Sequence, residues 1–168
     1  VWSKAVGDID GGPVLANGRL YAGTNAGTVV ALELADNGAT MRTYATGDGP
    51  VKGYIWPEWG TPNLYFSTTT KVWSLSDPGT GAALTKRWDS GSSVPSPSIP
   101  MLLDVEGRVL VGGGDGKLYQ IAAATGALAG AAVPLGSTAL GTPAYDVVAS
   151  VLHIGSTSGI VHAVSSPL

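Results

Sequence analysis

Apolar residues gather into paired short runs, each pair split by a break rich in glycine, threonine or serine: 20–23 with 28–32, 64–67 with 72–75, 109–112 with 117–121, and 152–155 with 160–164. Runs this short, rich in Val, Leu and Tyr and bounded by turn formers, predict antiparallel hairpins. The four hairpins superimpose on a small residue near the end of the first run, Gly23, Ser67, Gly112 and Gly155, which recurs at intervals of 44, 45 and 43 residues. Four residues further on, Gly27, Gly116 and Gly159 stand in the turn, where a positive φ carries no Cβ penalty for glycine. The second copy is one residue shorter and carries Lys71, so its turn is expected to take another shape. Beyond the turn two adjacent columns are both bulky: Val29, Val72, Leu118 and Val161 in one, Val30, Trp73, Tyr119 and His162 in the next. A strand with one solvated face alternates apolar with polar, so these columns predict sheets covered on both sides.

Each hairpin follows an extended stretch marked by a proline, Pro13, Pro57, Pro100 or Pro143. Three of them are followed, after turns containing Gly38, Gly79 with Gly81, or Gly126, by another extended stretch over 41–46, 84–90 or 128–135. A unit therefore supplies an inner strand, two middle strands and an outer strand. Trp2 lies 86 residues before Trp88, about twice the repeat, which reads residues 1–6 as a further outer strand. The chain then runs outer, inner, middle, middle four times over, giving sixteen strands in units near 7–47, 48–90, 91–135 and 136–168. A period near 43 residues with four strands per unit belongs to β-propeller blades. The expected fold class is thus an all-β propeller of four-stranded antiparallel blades with almost no helix. Two arrangements fit: a small closed ring in which residues 1–6 complete the fourth blade and remove its open edge, or a stretch of a ring of about six to eight blades.

Composition narrows the function classes. Only 12% of residues are charged, against about 25% in an average soluble domain, while 25 Gly and 11 Pro serve many turns. With a net charge of −3 and nine scattered Lys and Arg, no basic stripe exists to neutralise phosphates, and nucleic acid is not an expected partner. No apolar run reaches the length of a membrane-spanning helix. The absence of cysteine excludes disulfides, thiolate metal sites and cysteine nucleophiles. Few lysines beside abundant Thr, Ser and Gly point to an extracytoplasmic protein, whether periplasmic, secreted or at the cell surface. The chain opens at Val1 without an initiator Met or a leader, as expected of a processed or excised piece.

The stretch 107–126, which contains the Gly114-Asp115-Gly116 turn and ends in Thr125-Gly126, resembles the repeats of the PQQ-like, quinoprotein-type β-propellers. So do Gly141-Thr-Pro-Ala-Tyr145 and Gly18-Arg-Leu-Tyr-Ala-Gly-Thr24, and the resemblance extends over essentially the whole chain. It implies that Trp2 and Trp88 are outer-strand tryptophans that dock on the neighbouring repeat, with Tyr44 in their place once. The family includes dehydrogenases that hold pyrroloquinoline quinone (PQQ) with calcium, and non-catalytic propellers such as outer-membrane assembly scaffolds. Its enzymes carry a vicinal cysteine pair beside the quinone and are far longer than this chain, so the resemblance implies a fold more than an activity.

Few side chains call for chemistry. Asp115 forms the Asp-Gly pair of a tight hairpin. Asp8 and Asp10 alternate as in the opening of a calcium loop but lack its other ligands, and read as turn residues. Asp104, Glu106 and Asp146 read as solvated turn residues. His153 shares a column with Tyr21, Tyr65 and Leu110, and His162 with Val30, Trp73 and Tyr119, so both are expected to pack. Glycines 112–114 precede neither a Gly-Lys-Ser/Thr closure nor a helix, which excludes a phosphate loop. One segment falls outside the repeat: Tyr54, Trp56, Glu58 and Trp59 place three aromatics and a carboxylate within six residues, the composition of a binding hot spot. The competing explanation is that its tryptophans fill gaps in an irregular second blade.

The expected function is a non-catalytic interaction or scaffold module with no cofactor and no metal. Its partners would be another protein or other domains of a larger chain, with self-association if the ring is open. The alternative is a fragment of a PQQ-dependent dehydrogenase whose PQQ and calcium ligands lie elsewhere.

Overall fold

The structure, a computed structural model, describes residues 1–79, 81–103 and 106–165; Asp104 lies outside the described residues. Its strands form four antiparallel meanders in chain order. The first sheet comprises β1 (Val14–Ala16), β2 (Arg19–Gly23), β3 (Thr28–Glu33) and β4 (Met41–Ala45). The second comprises β5 (Lys52–Pro57), β6 (Asn63–Ser67), β7 (Val72–Ser76) and β8 (Thr85–Asp89). The third contains β9 (Met101–Leu103), β10 (Arg108–Gly112), β11 (Lys117–Ala122) and β12 (Val133–Pro134). The fourth has three strands, β13 (Ala144–Asp146), β14 (Val151–Gly155) and β15 (Val161–Ser165).

Local chemistry sets the central hairpins. In three of them the N–H just after the small residue reaches the carbonyl four residues on: Thr24 to Thr28, Gly113 to Lys117, Ser156 to Ile160. The turn glycines inside these loops, Gly27, Gly116 and Gly159, have φ of 76°, 78° and 80°. The glycine-free second turn is tighter, with the Thr68 N–H donating to the Lys71 carbonyl. Asp48 braces it, accepting from the Thr68 and Thr70 hydroxyls at its carboxylate and from the Thr69 N–H at its carbonyl. At Gly116 a side chain would meet both the left-handed φ and the Gly136 carbonyl, onto which a Cβ would project. Gly116→Val is therefore expected to lower the unfolding free energy by more than about 1 kcal/mol. Urea titration checks this, and an unchanged midpoint would show that the turn relaxes freely.

The sheets stack face to face. The forward face of the first, with Tyr21, Val29 and Ala31, shares a cluster with Phe66, Trp73 and Leu75 on the rear of the second. Tyr65 and Val72 likewise meet Val109, Tyr119 and Ile121 of the third sheet. Leu110 and Leu118 meet Leu152 and Ile154 of the fourth. The two bulky columns of the sequence are these two faces. A linker clamp recurs in every sheet: the second N–H after the small residue, in Asn25, Thr69, Gly114 and Thr157, donates to the carbonyl of Asp8, Asp48, Pro95 and Ala139.

Three features depart from the pattern expected above. Residues 1–6 form no strand, and no backbone hydrogen bond joins them to β15, the edge that they would complete in a small closed ring. The third outer strand shrinks to β12, because more residues lie between Leu128 and Val133 than between their partners Ile121 and Leu118, and the excess Ala-Gly segment leaves the ladder. His153, expected to pack, is exposed, because the forward face of the fourth sheet has no sheet against it among the described residues. The four sheets therefore do not close into a small ring.

Candidate functional site

The aromatic segment lies on β5, the inner strand of the second sheet, and a bulge there sets its geometry. Lys52 pairs with Ser67 and Trp56 with Tyr65, so four steps on β5 answer two on β6. The excess is absorbed at Gly53, whose φ is 58°. Bulges of this kind re-aim side chains, and here Tyr54 and Trp56 come together with ring centroids 6.0 Å apart. With Val14, Ile55 and Pro57 they line an open cleft of about 390 Å³ between the inner strands β1 and β5. At the start of β5 the Lys52 ammonium donates to the Pro97 carbonyl at 2.7 Å. Burial lowers its pKa, against the pull of Asp48.

Glu58 and Trp59 do not join this cleft. The Glu58 carboxylate accepts from Asn63 at 2.6 Å, from the Tyr65 hydroxyl at 3.0 Å and from the Thr61 hydroxyl at 3.1 Å. Burial disfavours its charge, yet these bonds and the nearby Arg87 outweigh burial and hold its pKa below the usual range. It is a fastener of the β5–β6 turn. Trp59, 82% exposed, stands out from the same turn into solvent.

The predicted docking residues sit at sheet boundaries. The Trp88 ring lies over Gly126, where a Cβ would be 2.7 Å from it, and its Nε1 donates to the Ala123 carbonyl at 2.9 Å. Trp2 lies over Gly38 in the same relation, with a corresponding distance of 2.7 Å. Tyr44 makes an edge contact with Trp73, centroids 6.4 Å apart. Asp115 accepts from Tyr119 at 2.8 Å beside Lys117 and stays within its own hairpin.

Sequence reasoning missed a buried ionic cluster between the first two sheets. Arg19 and Arg42 both contact Glu33, at 2.9 and 2.7 Å, and Arg42 also pairs with Asp77, which is fully buried. The Tyr21 hydroxyl donates to Asp77 at 2.8 Å, and Arg42 adds bonds to the Gly79 and Ala82 carbonyls. One signal was present: in a chain so poor in charge, Arg19, Glu33 and Arg42 lie within strands rather than in turns. At the next boundary Arg87 donates to Tyr65, Ser74 and Ala123. These groups bind the sheets to one another, and Arg19 and Asp77 also line a second open cleft of about 380 Å³ with Asn17, Thr61 and Pro62.

The donor set that the resemblance associates with quinone and calcium does not assemble. The chain lacks cysteine, and among the described residues no three of His, Asp and Glu converge as a metal-binding group. No step is derived through that cofactor.

Four-stranded meanders stacked in chain order, with a cleft at their inner strands, define a β-propeller architecture. Solved structures agree. The computationally designed protein Ika4 superimposes with a TM-score of 0.69 at 13% identity, over 98% of this chain and 99% of its own. BamB from Moraxella catarrhalis matches with a TM-score of 0.66 at 22% identity, over 95% of this chain and 45% of its own. The β-propeller domain of Cps50 (Swd1) from Myceliophteria thermophila gives 0.68 at 16% identity, over 89% of this chain and 49% of its own. The chain thus spans about half the length of these two natural proteins. No family model matches it, and no curated protein matches it in sequence.

Proposed function

We propose that the chain is a non-catalytic interaction module built of PQQ-like propeller repeats, belonging to an extracytoplasmic protein and binding a protein segment at the β1–β5 cleft. The observation that carries this is the bulge. It turns Tyr54 and Trp56 together onto a largely apolar cleft, whereas Phe66, Trp73, Trp88 and Tyr119 are buried between sheets. Paired aromatics with an apolar floor suit an apolar or aromatic anchor residue of a partner. The propeller likeness supports a scaffold role, and the low charge with few lysines supports the compartment. No cofactor enters this function.

Selection of a phage-displayed peptide library on the immobilised chain tests it. Binding of the enriched peptides to Tyr54→Ala is expected to weaken by about 2 kcal/mol or more, roughly 30-fold. Trp59→Ala is expected to leave the melting temperature unchanged, since its ring is in water, whereas Trp56→Ala lowers it, because Trp56 also packs against two core clusters. Peptides that bind Tyr54→Ala as tightly as the parent would place the binding surface elsewhere.

A further inference from the structure

The second cleft, which Arg19 and Asp77 line with Asn17, Thr61, Pro62 and Pro78, opens at the end of the first two sheets where the β1–β2 and β5–β6 turns lie. Its walls are fixed before anything enters. Asn17 and Gly18 form a two-residue hairpin turn with φ of 52° and 75°, the positive pair that the tightest hairpins require. The Asn17 Nδ2 donates to the Thr61 carbonyl at 3.0 Å and ties this turn to the β5–β6 turn. Glu58 holds the latter, accepting from the Thr61 hydroxyl at 3.1 Å and from Asn63 at 2.6 Å. Asp77 is fully buried and pinned by Tyr21 and Arg42.

Three groups here have no use inside the protein. Arg19 commits its Nε to Glu33 at 2.9 Å, and beyond the nearby Tyr21 hydroxyl its two Nη groups have no acceptor among the described residues. The Asn17 Oδ1 receives no hydrogen bond among them either, because this amide is anchored through its nitrogen. Trp59 stands two residues before Thr61 and is 82% exposed, whereas the other tryptophans pack against the protein.

These groups discriminate among ligands by charge and shape. Arg19 and Arg42 are balanced by Glu33 and Asp77, so the cleft carries a donor fork without net positive charge, on a chain of net charge −3. An anion gains little from such a field. A saccharide hydroxyl, which donates and accepts at once, suits both the Nη donors and the Oδ1 acceptor. The slightly positive C–H face of a sugar ring packs on the negative face of an indole, and Pro62 and Pro78 add apolar wall. The volume of about 380 Å³ falls within the range of small-molecule sites.

We infer that this cleft binds the terminal unit of an uncharged saccharide, with neighbouring hydroxyls on the Arg19 Nη pair and the Asn17 Oδ1 and the ring stacked on Trp59. The cleft shares no lining residue with the β1–β5 cleft, so its failure leaves the proposed function standing.

A microarray of uncharged oligosaccharides and their sialylated or uronic-acid counterparts, probed with the labelled 168-residue chain, tests this. Uncharged glycans are expected to be retained. Titrated by isothermal calorimetry, the retained uncharged glycan is expected to bind Trp59→Ala about tenfold more weakly, at an unchanged melting temperature. Arg19→Lys keeps a positive charge beside Glu33 but removes the donor fork, and Asn17→Gly keeps the positive φ of the turn but removes the acceptor; both are expected to weaken binding by a similar factor. An array that retains no uncharged glycan, one that retains acidic glycans alone, or parental affinity in any of the three variants would overturn the inference.

Discussion

Asp77→Ala is expected to cost about 3–5 kcal/mol of unfolding free energy, the range found when one member of a buried ion pair is removed. Asp77 has no exposed surface in its side chain, and it is the carboxylate that joins Arg42, Tyr21 and the Gly79 N–H at one point. Its loss leaves two guanidinium groups, 13% and 10% exposed, with Glu33 as their remaining carboxylate. Glu33 then carries two positive charges in a place where water barely reaches. Chemical denaturation monitored by tryptophan fluorescence measures the effect, since Trp73 lies in the same interface. A loss below about 1 kcal/mol, the ordinary value of a surface pair, would mean that water enters the cluster and screens it.

Alkali is expected to unfold the protein between about pH 10 and 12, before arginine titrates. Burial, helped by the bond to Asp77, pushes the Tyr21 hydroxyl up to about 12. Burial and the negative Glu58 do the same to Tyr65, also to about 12, despite the hydrogen bond from Arg87. Tyr119 follows in the same direction, through burial and Asp115. A folded pKa above the unfolded value near 10 means that the native state holds its proton more tightly. The stabilisation is whole below pH 10 and is lost as pH rises through 12, at about 2–3 kcal/mol for each of Tyr21 and Tyr65. Phenolate absorbance and far-ultraviolet circular dichroism, followed together, should change in one step. Phenolate appearing near pH 10 with the sheets intact would show that these hydroxyls face water.

Much of the fold was legible because its determinants are local. A small residue and a bulky pair of columns fall in each repeat, with a turn glycine in three of the four, and they set the hairpins, their register and the cover of the sheets. What failed depends on events beyond the repeat. The sequence of residues 1–6 resembles an outer strand, yet a strand exists only where a free edge meets it. The column of His153 tells which face it occupies, and cannot tell whether a neighbouring sheet arrives. The aromatic segment stood out because it breaks the period, but the separate fates of Tyr54 with Trp56, of Glu58 and of Trp59 depend on the bulge at Gly53. The ionic cluster was invisible for another reason: its partners are 35 and 56 residues apart, and only the stacking of two sheets brings them together.

The two central sheets each rest on the one before and the one after in the chain, and the outer two each rest on a single neighbour. Such an arrangement can be assembled in the order of synthesis. A nascent chain leaving the ribosome can finish one meander, present its forward face, and have the next condense on that template before the remainder is translated, without waiting for a distant segment.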